Sequence, residues 1–115
     1  MSTIQKQRIA ETDSTFQFAD GFWTGKCLIC GGRLRFEARS GFGATIEHIQ
    51  PRSLGGSNDL LNLGLTHPQC NSEKGRRWDA KRRHRHRAEA YRALVERLLA
   101  ERQRRWREPP STLPE

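Results

Sequence analysis

Apolar residues along this chain change period from block to block. Residues 1–15 are polar apart from Ile4 and Ile9 and carry no repeat, which reads as a flexible N-terminal arm or a weak helix. Four large aromatics, Phe16, Phe18, Phe22 and Trp23, follow. Side chains of that size are generally buried, so this short segment should cover the core behind it. Across 33–38, Leu34, Phe36 and Ala38 alternate with polar residues, the period of a half-buried strand. Residues 40–43 (Ser-Gly-Phe-Gly) supply a turn before a second strand-like run at 44–49, and the two runs are expected to pair as a hairpin.

Residues 52–59, with Gly55 and Gly56, have the composition of a loop, and 60–65 return briefly to apolar text. From Pro68 the text turns helical towards Trp78, weakened at Gly75. Beyond Trp78 the period lengthens. Tyr91, Leu94, Val95, Leu98 and Leu99 fall on one helical face, with Arg and Glu on the others, until Pro109 and Pro110 stop the helix. The pairs Glu89 with Arg92 and Glu101 with Arg105 have helix-supporting spacing. Four stretches result: a flexible arm (1–15), a compact domain (16–78), a basic amphipathic helix (79–107) and a polar tail (108–115). The class is α+β.

A chain of 115 residues, 34% hydrophobic, has room for one modest core, and a core of that size needs a staple. The net charge of +8 favours a polyanionic partner. Of 21 Lys and Arg residues, 13 lie between positions 76 and 107 against four acids, so the C-terminal segment reads as a rail for DNA phosphates. Arg76, Arg77, Lys81, Arg82, Arg83, Arg85 and Arg87 are its expected contacts, with Arg52 and Lys74 upstream. The competing reading is a solvated helix whose leucine stripe packs on the domain or on a second copy, giving a homodimer. No apolar run approaches the roughly 18 residues of a membrane span, and no secretory start or lipidation signal is visible. No membrane partner is expected, and the cytoplasm is the expected location.

Three cysteines cannot all pair within one chain. Cys27 and Cys30 share a two-residue gap, as do His67 and Cys70. Such knuckles let both members of a pair reach one ion, so three thiolates and an imidazole make a closed tetrahedral Zn²⁺ site. With all four positions filled, this zinc is structural, and its binding energy would help to fold the small core.

Between and after the knuckles stand Glu47-His48, Pro51 and Arg52, Gly55-Gly56, Asp59, Asn62-Leu63, then Asn71 and Lys74. In order and spacing, residues 27–75 resemble the HNH endonucleases. The resemblance implies a ββα-metal core, a hairpin and a helix around one divalent ion, braced by the separate zinc. It implies His48 as the general base that draws a proton from the attacking water, a role for which an imidazole titrating at about 6.5 is suited. Glu47 would be a carboxylate ligand of the catalytic ion. Asn62 would tie the loop to the strand and orient the base. Asn71 stands where the family usually has its last His, and a carbonyl oxygen there suits Mg²⁺ or another hard divalent ion. The expected activity is metal-dependent hydrolysis of DNA phosphodiester bonds in a bacterial or phage-infected cell. The alternatives are a non-catalytic zinc module that binds nucleic acid, or an accessory protein of phage DNA packaging.

Overall fold

Two small antiparallel sheets organise the protein. The computed structural model describes residues 2–79 and 85–110. A helix α1 (Ser2–Glu11) leads into the first sheet, β1 (Gln17–Ala19), β2 (Phe22–Lys26) and β3 (Arg33–Glu37) in that order. The second sheet is a pair, β4 (Thr45–His48) with β5 (Leu63–Thr66). Helix α2 (Pro68–Lys74) follows, continues as a π-helical turn over Gly75–Asp79, and α3 (Arg85–Arg104) closes the fold.

The α+β class is as expected, but the strand pairing is not the hairpin read from the sequence. Strand β3 pairs with β2 across the first cysteine knuckle, Trp23 opposite Phe36 and Gly25 opposite Leu34. Strand β4 pairs with β5, Ile46 opposite Leu65 and His48 opposite Leu63. The turn after β3 does form, with Glu37 N–H donating to Phe42 O and Gly41 N–H to Glu37 O. Gly43 then sends the chain across the back of β3: its φ is +116°, and a Cβ there would lie 2.5 Å from the Arg35 carbonyl oxygen. Partner choice is thus a matter of long-range burial. All four residues of β5 are buried, and β4 is the strand that covers them.

Because side chains alternate along β4, its two faces meet different helices. Ile46 and His48 share a face with α1, while Glu47 turns to α2. The main core gathers Ile9, Phe16, Leu34, Phe36, Leu63 and Leu65. Of the two readings of residues 1–15 the helix holds and the flexible arm does not: the last turn of α1, with Ile9 and Ala10, lies in the core. The signal was too sparse to read, since only two large apolar residues carry it.

A second cluster joins Leu28 and Ile49 to Tyr91, Val95 and Leu98, with Trp78 stacked on Tyr91 at 6.2 Å between ring centroids. The apolar stripe of α3 is thus seated within its own chain, as the competing reading of a helix packed on the domain expects. Arginines at the end of α3 and just beyond it turn inward too. Arg102 is fully buried and donates to the Leu60, Leu63 and Thr12 carbonyls and to Thr12 Oγ1. Arg105 pairs with Asp13 at 3.6 Å, and Arg107, just beyond the helix, donates to the carbonyls of Ala10, Glu11 and Phe16. These three bind the two ends of the described chain together, so they are not part of a phosphate rail.

Candidate nuclease site and metal knuckles

The knuckles come together as their spacing predicts. The ligand atoms of Cys27, Cys30, His67 and Cys70 all lie within 4.8 Å of one another, and among the described residues no other His, Cys and carboxylate group of three or more is so placed. His67 accepts a fixed orientation from the first sheet: Nε2 donates to Arg33 O at 2.8 Å, which turns Nδ1 towards Cys30 Sγ at 3.5 Å and Cys70 Sγ at 3.7 Å. Burial raises the Cys27 thiol, but the backbone N–H groups of Cys30, His67 and Ile29 outweigh it and bring the pKa down to about 7. Cys70 is pushed up to about 12, by burial first and then by the charge of Cys27 and Cys30. Thiols crowded until their charges oppose one another are the setting that a tetrahedral dication relieves, and the residues fit zinc.

Asn62 fixes the loop that follows β4. Its Oδ1 accepts from Gln50 N–H at 2.9 Å, and its Nδ2 donates to Gln50 O at 3.1 Å and Ser57 O at 2.7 Å. The loop closes over itself at Gly56, where an added Cβ would run into the Gln50 carbonyl. This folding-back brings Asn58 to His48, whose Nε2 lies 2.8 Å from Asn58 Oδ1. With the amide oxygen accepting, Nε2 carries the proton and Nδ1 is the basic nitrogen. Sequence reading missed Asn58, although the Gly-Gly-Ser-Asn text marked its loop.

On the other face of β4, Glu47 is bound to α2. Asn71 Nδ2 donates to Glu47 Oε1 at 2.7 Å and to Ile46 O at 3.2 Å, and Lys74 Nζ lies 2.6 Å from Glu47 Oε2. The structure therefore unites Glu47 with Asn71, but adds Lys74 and buries both members of the ion pair. Lys74 was expected to touch DNA phosphate. Its ammonium lies in the interior, where phosphate does not reach.

His48 opens onto a cleft of about 660 Å³ whose walls include Gln5 and Lys6 of α1, Ile46, Arg52 and Asn58. Arg52 is exposed, as are Arg76 and Arg77 on the π-helical turn. Lys81, Arg82 and Arg83 lie outside the described residues, and Arg85 and Arg87 open α3 with side chains likewise outside the description.

A zinc knuckle pair bracing a β-hairpin and a helix, with an imidazole and a carboxylate on adjacent positions of one strand, defines a ββα-type module. Residues 27–77 match the family model of the HNH endonucleases. Compared with curated proteins and with solved structures, the chain has no match. The family match supports a nuclease-type or nucleic-acid-related function. Helices α1 and α3 lie outside the matched segment.

Proposed function

We propose that the protein is a metal-dependent DNA endonuclease in which His48 is the general base. The observation that carries this reading is the imidazole of His48, oriented through Nε2 by Asn58 and open to a cleft, one residue from a carboxylate held by Asn71. Glu47 and Asn71 offer hard oxygen donors to a divalent cation, provided that the Lys74 ammonium yields its place on Glu47 Oε2. Such an ion would polarise the scissile phosphate and stabilise the departing 3′ oxygen, which requires Glu47, now turned to α2, to come within reach of the phosphate beside His48. The chain's own residues do the rest. Nδ1 of His48 takes the proton of the attacking water while Asn58 keeps the ring from turning. Asn62 holds the Gln50–Ser57 backbone, so Asn58 stays where the ring needs it. Arg52 lies at the cleft edge as a contact for the DNA backbone.

A second reading is a zinc module that binds nucleic acid without cutting it. The protein donors on both oxygens of Glu47 favour it, because a carboxylate so engaged is a poor open ligand. Incubation with supercoiled plasmid and Mg²⁺, Mn²⁺, Ni²⁺ or Zn²⁺ separates the two. The endonuclease reading requires nicked or linear product that His48→Ala loses, by about 10² to 10⁴-fold or more, at unchanged zinc content and circular dichroism. Equal cleavage by wild type and His48→Ala would remove the base assignment, and no cleavage with any ion would leave the binding module.

A further inference from the structure

The cleft beside His48 has a wall that the HNH segment does not supply. Gln5 and Lys6 come from α1, outside the matched residues 27–77. This wall is fastened at both ends. Thr3 Oγ1 donates to Ser40 O, Lys6 Nζ to Gly41 O at 2.8 Å and Gln7 Nε2 to Ala38 O, while Ile9 and Ala10 sit in the core and Arg102 grips Thr12. The described residues that line the cleft include two cations, Lys6 and Arg52, and no carboxylate, since Glu47 faces the opposite side of its strand. The bond to Gly41 uses one of the three N–H donors of the Lys6 ammonium. Burial lowers the pKa of Lys6, and no carboxylate among the described residues pairs with it.

We propose that α1 is part of the substrate site: Lys6, across the cleft from the loop that carries Arg52, binds a backbone phosphate of DNA beside His48. This rests on the nuclease reading for the identity of the substrate, and on the geometry of the cleft for the contact. A phosphodiester is the anion that a cleft with two cations and a basic imidazole would take, and a phosphate contact leaves a signature in salt dependence. Gln5, half-buried on the same wall, borders the bound strand.

The experiment measures binding of a fluorescent DNA duplex by the full chain, without added divalent ion, across a series of salt concentrations. Lys6→Gln should weaken binding several-fold and reduce the slope of log K against log salt by about one unit, whereas Lys6→Arg should restore both. Lys26→Gln, an equal loss of charge at an exposed site on the other sheet, should leave the slope unchanged. The same slope for Lys6→Gln and wild type, or the same loss with Lys26→Gln, would overturn the proposal. Thermal melting accompanies each variant. Should Lys6→Gln melt early because the Gly41 contact is lost, Gln5→Glu places a negative charge on the same wall without touching that contact. It must then weaken binding at least as strongly, and unchanged affinity would overturn the proposal. Plasmid cleavage is scored separately. Slope loss in a protein that cuts nothing supports the α1 contact and rejects the nuclease reading alone, and a wild type with no salt-dependent binding rejects both.

Discussion

Glu47 Oε2 and Lys74 Nζ lie 2.6 Å apart, a carboxylate from a strand and an ammonium from a helix, both withdrawn from solvent. Coulomb attraction at that separation is strong in a protein interior, yet it must offset the desolvation of two charges, so such a pair adds little over an apolar one. Removing one partner is different. Lys74→Met should destabilise the fold by about 3 to 5 kcal/mol, because the buried carboxylate loses this cation, and the double variant Glu47→Met with Lys74→Met should recover most of the loss. Urea unfolding of the three variants checks this, and a double variant no better than Lys74→Met alone would show the pair to be a net source of stability.

The purified protein should contain one zinc per chain, held by Cys27, Cys30, His67 and Cys70. Elemental analysis of a sample prepared without chelators reads the number directly. Cys70→Ser should bring zinc content towards zero and lower the melting temperature, since metal binding in so small a core is part of folding. Retention of a full equivalent by Cys70→Ser would rule out this ligand set.

Arg102 and Arg104 stand two residues apart on α3 and should behave in opposite ways. Arg102 is fully buried, so Arg102→Ala removes its bonds to Thr12, Leu60 and Leu63 together with a large packed side chain, and should cost about 3 kcal/mol or more. Arg104, exposed beside Glu101, should be replaceable by Ala with no change in melting temperature. Thermal melts decide it, and equal effects from the two would contradict the clamp described for α3.

Asn62→Ala should separate positioning from chemistry. It removes three bonds that hold the loop carrying Asn58, at about 1 to 3 kcal/mol of stability. Cleavage should fall while His48 keeps its identity, and Asn58→Ala should reproduce much of that fall with a smaller change in stability. Plasmid assays and melts on both variants test it; undiminished cleavage by Asn58→Ala would mean that the ring needs no such tether.

What could be read from the sequence was what short spacing encodes. Cys27 with Cys30 and His67 with Cys70 announced a metal cluster, and the order of Glu47, His48, Asn62 and Asn71 announced the HNH domain. The stripe from Tyr91 to Leu99 announced α3, though not that it would be buried against Leu28 and Ile49. What stayed hidden depends on contacts distant in sequence. Nothing local pairs β4 with β5 in preference to β3, since both candidates offer alternating apolar residues. Nothing local marks Arg102 as interior when it stands among exposed arginines, because its partners, at Thr12 and Leu63, are 90 and 39 residues away.

That separation bears on the order in which the protein can assemble. The end of α1 is secured by Arg102, Arg105 and Arg107, so its native contacts close loops of about 90 residues, the slowest kind to form. At a synthesis rate of roughly 5 to 20 residues per second, several seconds pass between the emergence of α1 and that of its clamp. Until then Thr12 and Asp13, just after α1, lack their arginine partners, and α1 is held by Ile9 and Ala10 in the core and by its bonds to residues 38–41. A nascent chain can therefore set the wall of the cleft through residues 38–41 before Arg102 and Arg105 fasten the segment that follows α1.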